Sequence, residues 1–327
     1  MSWCFFPTPY HEFALGLTGP RSIWIKRDDL NGLAGGGNKT RKLRYYLDYI
    51  KLNGFDAVVT EGAPQSNHCR QTAAMGAANG LPVTLVLGGT GSKAPLGNVL
   101  LDELLGAQII HTESARRQEV AENAMEMLRS QGFNPIRIPV GGSAPIGVEA
   151  YAAGVDEWFS QQEELDWLPD VIVHASSSGG TQAGLALGVA RLNLNLKVLG
   201  ISVDHTGDEL RTIVESLIDA TESDPKIASR AKDLALYNAD YLGLGYARPG
   251  RAEAEAIEFV ARQTGILLDP VYSGRAMVGL KNMIESGAFD DQRLIFWHTG
   301  GMPSIHAFGR PASWPMSIHS GDSDERS

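Results

Sequence analysis

The chain has 327 residues, 43% hydrophobic and 20% charged, with a formal net charge of −10. That is length for two lobes or one large one, and the acidity argues against a nucleic-acid binder. Two cysteines, Cys4 and Cys69, make no disulfide framework, and no run approaches the ~18 apolar residues of a membrane span.

The N-terminus carries no basic segment followed by a long apolar run, so a soluble cytoplasmic protein is expected. SIWIKRD (22–28) reads as a strand, followed by the glycine-rich stretch GLAGGGNKTRKL (32–43). RKLRYYLDYIKLNG (41–54) reads as a helix, with Leu43, Leu47 and Ile50 on one face and Gly54 as its stop. FDAVVTEG is a strand, NHCRQTAAMGAANG a helix and LPVTLVLGG a strand. LGNVLLDELLGA and AQIIHTE, then AENAMEMLRSQG and NPIRIPVGG, repeat the helix–strand pair. A helical AYAAGVDEWFSQQEEL leads to DVIVHAS, GTQAGLALGVARL, KVLGISVD and a helical stretch near ELRTIVESLIDA. AEAEAIEFVARQTG, ILLDP, GRAMVGLKNMIESG and RLIFWHTGG complete the series, ILLDP and RLIFWHTGG being read as strands. Near-continuous Val/Ile/Leu strands between helices predict parallel sheets covered on both faces. Residues 309–327, rich in Pro, Ser and Asp, are expected to be disordered.

Four strand ends carry unusual polar content, and ligands of open α/β sheets bind beyond such ends. In GLAGGGNKTRKL, glycines admit something close to the backbone and lysine offers a cation or a nucleophile. A nucleotide-binding P-loop fails there by one residue, because Asn38 stands between Gly37 and Lys39. In DVIVHASSSGGTQAG (170–184), Ser178, Gly179, Gly180 and Thr181 form a phosphate cup at a helix start, with a tight structural turn as the plainer reading. In AVVTEGAPQSNHCRQ (57–71), Gln65, Ser66, Asn67 and His68 open a helix that can hold a carboxylate. Taken alone, capping by Ser66 or Asn67, packing of His68 and burial of Cys69 account for the same residues. Tyr272 with Ser273, and His298 with Thr299, stand at two more strand ends, and Tyr241 and Tyr246 in a Gly-rich loop; plain packing is the alternative for each tyrosine. A lysine beside glycines, a phosphate cup and no metal motif together suggest pyridoxal phosphate (PLP), with lysine bound to it as a Schiff base.

The chain resembles the 1-aminocyclopropane-1-carboxylate (ACC) deaminase/D-cysteine desulfhydrase family of fold-type II PLP enzymes. IKRDDLNGLAGGGNKTRKL, EGAPQSNHCRQTAA, GNVLLDELLGA, IPVGGS, SSGGTQAGL, GYARP, LDPVYSGRAM and HTGGMPS carry the resemblance, in family order from about Trp24 to Phe308. It implies an α/β fold like the tryptophan synthase β subunit: two open, twisted, mostly parallel sheets with helices on both faces. A smaller domain at 44–155 would be inserted in a larger PLP-binding domain built from 1–43 and 156–308. By resemblance, Lys39 is the Schiff-base lysine and Lys42 lies near the phosphate, a solvent-exposed helix charge being the alternative. Gln65 and Ser66 touch the substrate carboxylate, with His68 in the same group, and Ser66 also acts in acid/base steps. Asn67 contacts the PLP ring hydroxyl, Ser178–Thr181 hold the phosphate, and Tyr246 and Tyr272 are the active-site tyrosines. Ser273 and Thr299 stand near the ring nitrogen where the cyclopropane-opening enzymes carry Glu and Leu. That pair resembles the desulfhydrase branch and implies α,β-elimination, D-cysteine giving pyruvate, ammonia and hydrogen sulfide. L-cysteate sulfo-lyase, ACC deaminase and a non-catalytic PLP carrier or sensor are the alternatives. The family also implies a homodimer. Departures are Ala150 before Tyr151, the serine-rich SSSGGT, Arg275 where lysine is common, and a poor match over 204–240.

Overall fold

A computed structural model describes residues 3–309 except 164, so the expected disordered tail beyond Gly309 lies outside the described residues. The described residues form two sheets. The larger has six strands: β1 (Tyr10–Glu12), β2 (Ser22–Arg27), β10 (Arg293–His298), β7 (Val171–Ser176), β8 (Lys197–Ser202) and β9 (Ala235–Asn238), in that spatial order. Only β1 runs antiparallel to its neighbour. The smaller sheet is wholly parallel: β5 (Gln108–Thr112), β4 (Val83–Gly88), β3 (Ala57–Gly62) and β6 (Pro135–Arg137). The helices are α1 (Asn38–Asn53), α2 (Asn67–Asn79), α3 (Asn98–Leu104), α4 (Arg117–Ser130), α5 (Pro145–Gln162), α6 (Gly180–Arg191), α7 (Gly207–Thr221), α8 (Pro225–Leu234), α9 (Arg251–Thr264) and α10 (Ser273–Glu285).

Strand alternation builds the layers. Val171, Val173, Leu294 and Phe296 face one core with α9 and α10, while Ile172, Ile295 and Trp297 face the opposite core with α5 and α6. In the small sheet, Val58, Leu85 and Leu87 pack with α1 and α2, and Val59 and Val86 with α4. Both faces of each sheet are therefore covered, which is why β3, β4 and β7 are buried along their whole length. Residues 44 and 155 fall inside α1 and α5. Leu43, Tyr46, Leu47 and Ile50 bind α1 to the small-sheet core, and Val148, Tyr151, Val155 and Trp158 bind α5 to the large-sheet core.

ILLDP is not a strand. Its Asp269 carboxylate instead accepts the backbone N–H groups of Val271, Tyr272 and Ser273 at 3.0, 3.0 and 2.7 Å, so the segment ends as the entry to α10. The poorly matched stretch holds α7, α8 and the edge strand β9. Asp28 is fully buried and accepts from Arg41, from Tyr151 Oη at 2.6 Å and from Trp297 Nε1 at 2.8 Å. Glu157 completes the node with Arg41 at 2.8 Å and Lys26 at 2.6 Å. Against the cost of burial, the Arg41 guanidinium holds the Asp28 carboxyl below its ordinary range. One charge cluster thus fastens β2, α1, α5 and β10 together.

Candidate active site

The carboxyl ends of both sheets open on one cleft of about 370 Å³, a volume within the range of small-molecule sites. Lys39 stands in it, one residue into α1, because the helix starts on a backbone clamp. Gly37 N–H donates to Asp28 O at 2.9 Å and Asn38 N–H to Thr299 O at 2.9 Å, while Asn31 bonds both N–H and C=O of Gly37 at 3.0 Å. Gly37 (φ 129°) and Gly300 (φ 84°) are pressed together, and a Cβ on Gly300 would lie 2.5 Å from the Gly37 Cα. Only glycine fits either position. Lys39 Nζ lies 5.3 Å from the centre of the Tyr272 ring. Burial, helped by the Arg70 charge and opposed by Asp269, lowers its amine to about 8, so a useful fraction is neutral near physiological pH.

The large-sheet wall supplies an anion cup. Gly179, left-handed at φ 73°, turns β7 into α6. Gly180 N–H donates to Ser178 O at 2.9 Å, while the next N–H groups of α6, of Thr181 and Gln182, have no helical acceptor. Ser178 and Thr181 line the cleft, with Ser178 Oγ 2.8 Å from Ser143 Oγ and Asn38 Nδ2 donating to Thr181 Oγ1 at 3.0 Å. Lys42 and Gly180 sit behind this wall: buried Lys42 Nζ donates to Gly141 O at 3.0 Å and Ser143 Oγ at 3.3 Å, and a Cβ on Gly180 would come within 2.9 Å of Nζ. The exposed-charge alternative for Lys42 is thereby removed. Backbone N–H groups and the Ser178 and Thr181 hydroxyls on the cleft, with Lys42 behind them, fit a phosphate. The Tyr246 and Tyr272 hydroxyls lie 2.7 Å apart on the same cleft. Burial raises both phenols, so each stays a neutral O–H donor. Thr299 lines the cleft as well.

On the small-sheet wall stand Ser66, Asn67 and His68. Ser66 Oγ caps α2, accepting from Cys69 N–H at 3.2 Å. Asn67 Oδ1 is held by Arg70 at 2.8 Å and Asn98 at 2.9 Å. Thr60 Oγ1 already donates to Ile138 O at 2.8 Å, so His68 Nε2–H donates to Thr60 and Nδ1 is bare. Burial and the Lys39 and Lys42 charges press His68 to about 3, a neutral ring.

Two expected site residues are elsewhere. Gln65 turns away to satisfy the entry to α3, accepting from Asn98 N–H at 2.8 Å and donating to Leu96 O at 3.0 Å. Ser273 faces Asp269, donating to its carboxylate at 2.7 Å and accepting its N–H at 2.8 Å, so the hydroxyl is consumed by the α10 cap. The cleft also holds Arg117, Asp204 and His205, which sequence reading did not single out. Asp204 stands two residues beyond the strand KVLGIS, close to the strand-end position that flagged the other groups, and accepts from Ser177 Oγ at 2.7 Å. Arg275 is fully buried and fixes the Tyr246 loop by donating to Val203 O at 2.9 Å, Gly245 O at 3.1 Å and Glu253 at 3.0 Å. Among the described residues no group of three His, Cys, Asp or Glu could hold a metal ion, and no helix is long and apolar enough to cross a membrane.

Residues 4–300 match the pyridoxal-phosphate dependent enzyme family. A D-cysteine desulfhydrase of Salmonella typhi is 39% identical over 295 residues, covering 88% of this chain and 89% of that one. The crystal structure of an ACC deaminase homologue superposes with a TM-score of 0.80 at 34% identity, covering 94% of each chain. The processed form of threonine deaminase isoform 2 from Solanum lycopersicum, at 16% identity and a TM-score of 0.62 over 90% of this chain and 79% of that one, shares the fold.

Proposed function

Because the chain belongs to the pyridoxal-phosphate dependent enzymes, and within them to the ACC deaminase/D-cysteine desulfhydrase family, we propose that its cleft performs α,β-elimination on a small amino acid, D-cysteine first among candidates. The observation that carries the reading is the Tyr246–Tyr272 hydroxyl pair facing the same cleft as the low-pKa amine of Lys39. It supports proton donors and a proton acceptor acting on one substrate.

When bound, pyridoxal phosphate supplies the electron sink for the pair left at the substrate's α-carbon. Ser178, Gly179 and Thr181 would hold its phosphate, with Lys42 behind them, and Lys39 would hold it covalently until the substrate's own amine takes that place and frees Nζ. The Ser66 hydroxyl and the start of α2 bind the substrate carboxylate, and Lys39 Nζ takes the α-proton. The tyrosine pair, neutral by burial, donates to the departing sulfur. D-cysteine and one water then give pyruvate, ammonia and hydrogen sulfide.

The test is a panel of D- and L-cysteine, L-cysteate and the cyclopropane amino acid, with 2-oxo acid, sulfide and sulfite measured together. Equal amounts of pyruvate and sulfide from D-cysteine are expected. Sulfite from cysteate without sulfide, 2-oxo acid only from the cyclopropane substrate, or no turnover by the PLP-loaded protein would each replace this reading.

A further inference from the structure

We propose that Arg117 sets specificity by receiving a negatively charged group on the β-carbon of the bound amino acid; this rests on the reading that the cleft takes an amino acid. Arg117 is the first residue of α4 and lines the cleft with Gly62 and Ala63 at the carboxyl edge of the small sheet. Two contacts aim it. Its Nε donates to Ser114 O at 3.1 Å, and its Cδ lies 3.2 Å from where a Cβ on Gly88 would stand, so the stem crosses the end of β4 over a glycine. The two terminal nitrogens of the guanidinium then have no protein partner among the described residues.

Glu61 pairs with Arg137, and Glu119 with Arg116 at 2.8 Å, so neither is paired with Arg117. The other anion-receiving positions already have occupants in the proposed function. The α6 start takes the phosphate and the α2 start takes the α-carboxylate. Arg117 is a cation on the cleft wall with no anion assigned to it. Across the cleft stands the Asp204 carboxyl, bonded to Ser177. An acidic β-substituent is drawn to Arg117. The planar guanidinium fork matches a sulfonate or carboxylate by two parallel hydrogen bonds, and a thiolate by charge. Among amino acids that enter the cleft, one with an anionic β-substituent is therefore held more tightly than its neutral isostere.

Aspartate and asparagine share shape and differ in the charge at this position. Titration calorimetry of the PLP-loaded full chain with both hands of each compound reads the difference without turnover. For one hand, aspartate should bind about 10-fold or more tighter than asparagine, the contribution of a charge-assisted hydrogen bond. Arg117→Gln should bring the ratio to about 1 with asparagine binding retained, and Arg117→Lys should keep part of the preference, since point charge remains while the fork is lost. The proposal is overturned if wild type shows no preference, if aspartate of neither hand binds, or if Arg117→Gln weakens both ligands alike. Elimination is read separately as pyruvate from D-cysteine, so its failure and the failure of this preference are distinct results.

Discussion

The lowered amine of Lys39 has a consequence that can be measured in the cofactor-free protein. Burial takes it from 10.5 to about 8. At pH 7 roughly 9% of Lys39 is then neutral, against about 0.03% of an unperturbed lysine, a ratio of roughly 300. The shift is also a stability statement. Below the folded value the protein carries an ammonium in a poorly solvated site, and at 1.36 kcal/mol per unit this costs roughly 3 kcal/mol. Between about 8 and 10.5 the unfolded chain binds the extra proton, so the penalty fades as pH rises through that window and is gone above it. Two assays follow. Reductive methylation with formaldehyde, read by peptide mass spectrometry from about pH 6.5 to about pH 10.5, should label Lys39 with a midpoint near 8, the exposed Lys51 and Lys93 serving as internal controls. Urea unfolding should find Lys39→Met more stable than wild type at pH 7, by up to roughly 3 kcal/mol, with the advantage vanishing above about pH 10.5. A Lys39 labelling curve that superposes on those of Lys51 and Lys93, or a stability difference flat with pH, would refute the electrostatic reasoning.

Asp28→Asn leaves Arg41 buried beside an amide that cannot accept as the carboxylate does; by the cost of breaking a buried ion pair it should lose about 3–5 kcal/mol in denaturant unfolding, and unchanged stability would disprove the node. Ser273→Ala removes the Asp269 cap contact; it should cost about 1 kcal/mol of stability while PLP content and absorption spectrum stay as in wild type, and a changed spectrum would return Ser273 to the cofactor.

The alternation of strands and helices was legible because parallel sheets buried on both faces need unbroken apolar runs such as VIVHAS and TLVL. The cup was legible because Ser178, Gly179 and Thr181 are adjacent in sequence, and so was Lys39 beside its glycines. Gln65 and Ser273 show the limit. Proximity to a strand end says a side chain is near the cleft, yet the α3 and α10 entries each offered it a closer partner. ILLDP has the composition of a strand, but Asp269 binds three successive N–H groups in place of a ladder. Arg117 opens an amphipathic helix about fifty residues after Ser66, and nothing local distinguishes it from the surface Arg116 beside it. Only the meeting of β3, β4 and α4 brings it to the cleft.

The position of β10 between β2 and β7 also bears on the order in which the molecule is assembled. The strands of the small sheet lie in one stretch of chain and can pair as soon as that stretch has emerged. β2 cannot do so: Ser22 pairs with Arg293, nearly the whole length of the chain away, and until β10 is made its only neighbour is the three-residue β1. Such distant pairing is slow and comes late. The backbone clamp on α1 includes Thr299, one residue beyond β10. Lys39 is therefore seated by the last of the described strands, and a ribosome-bound chain lacking that strand can pair its small sheet but cannot complete the cleft.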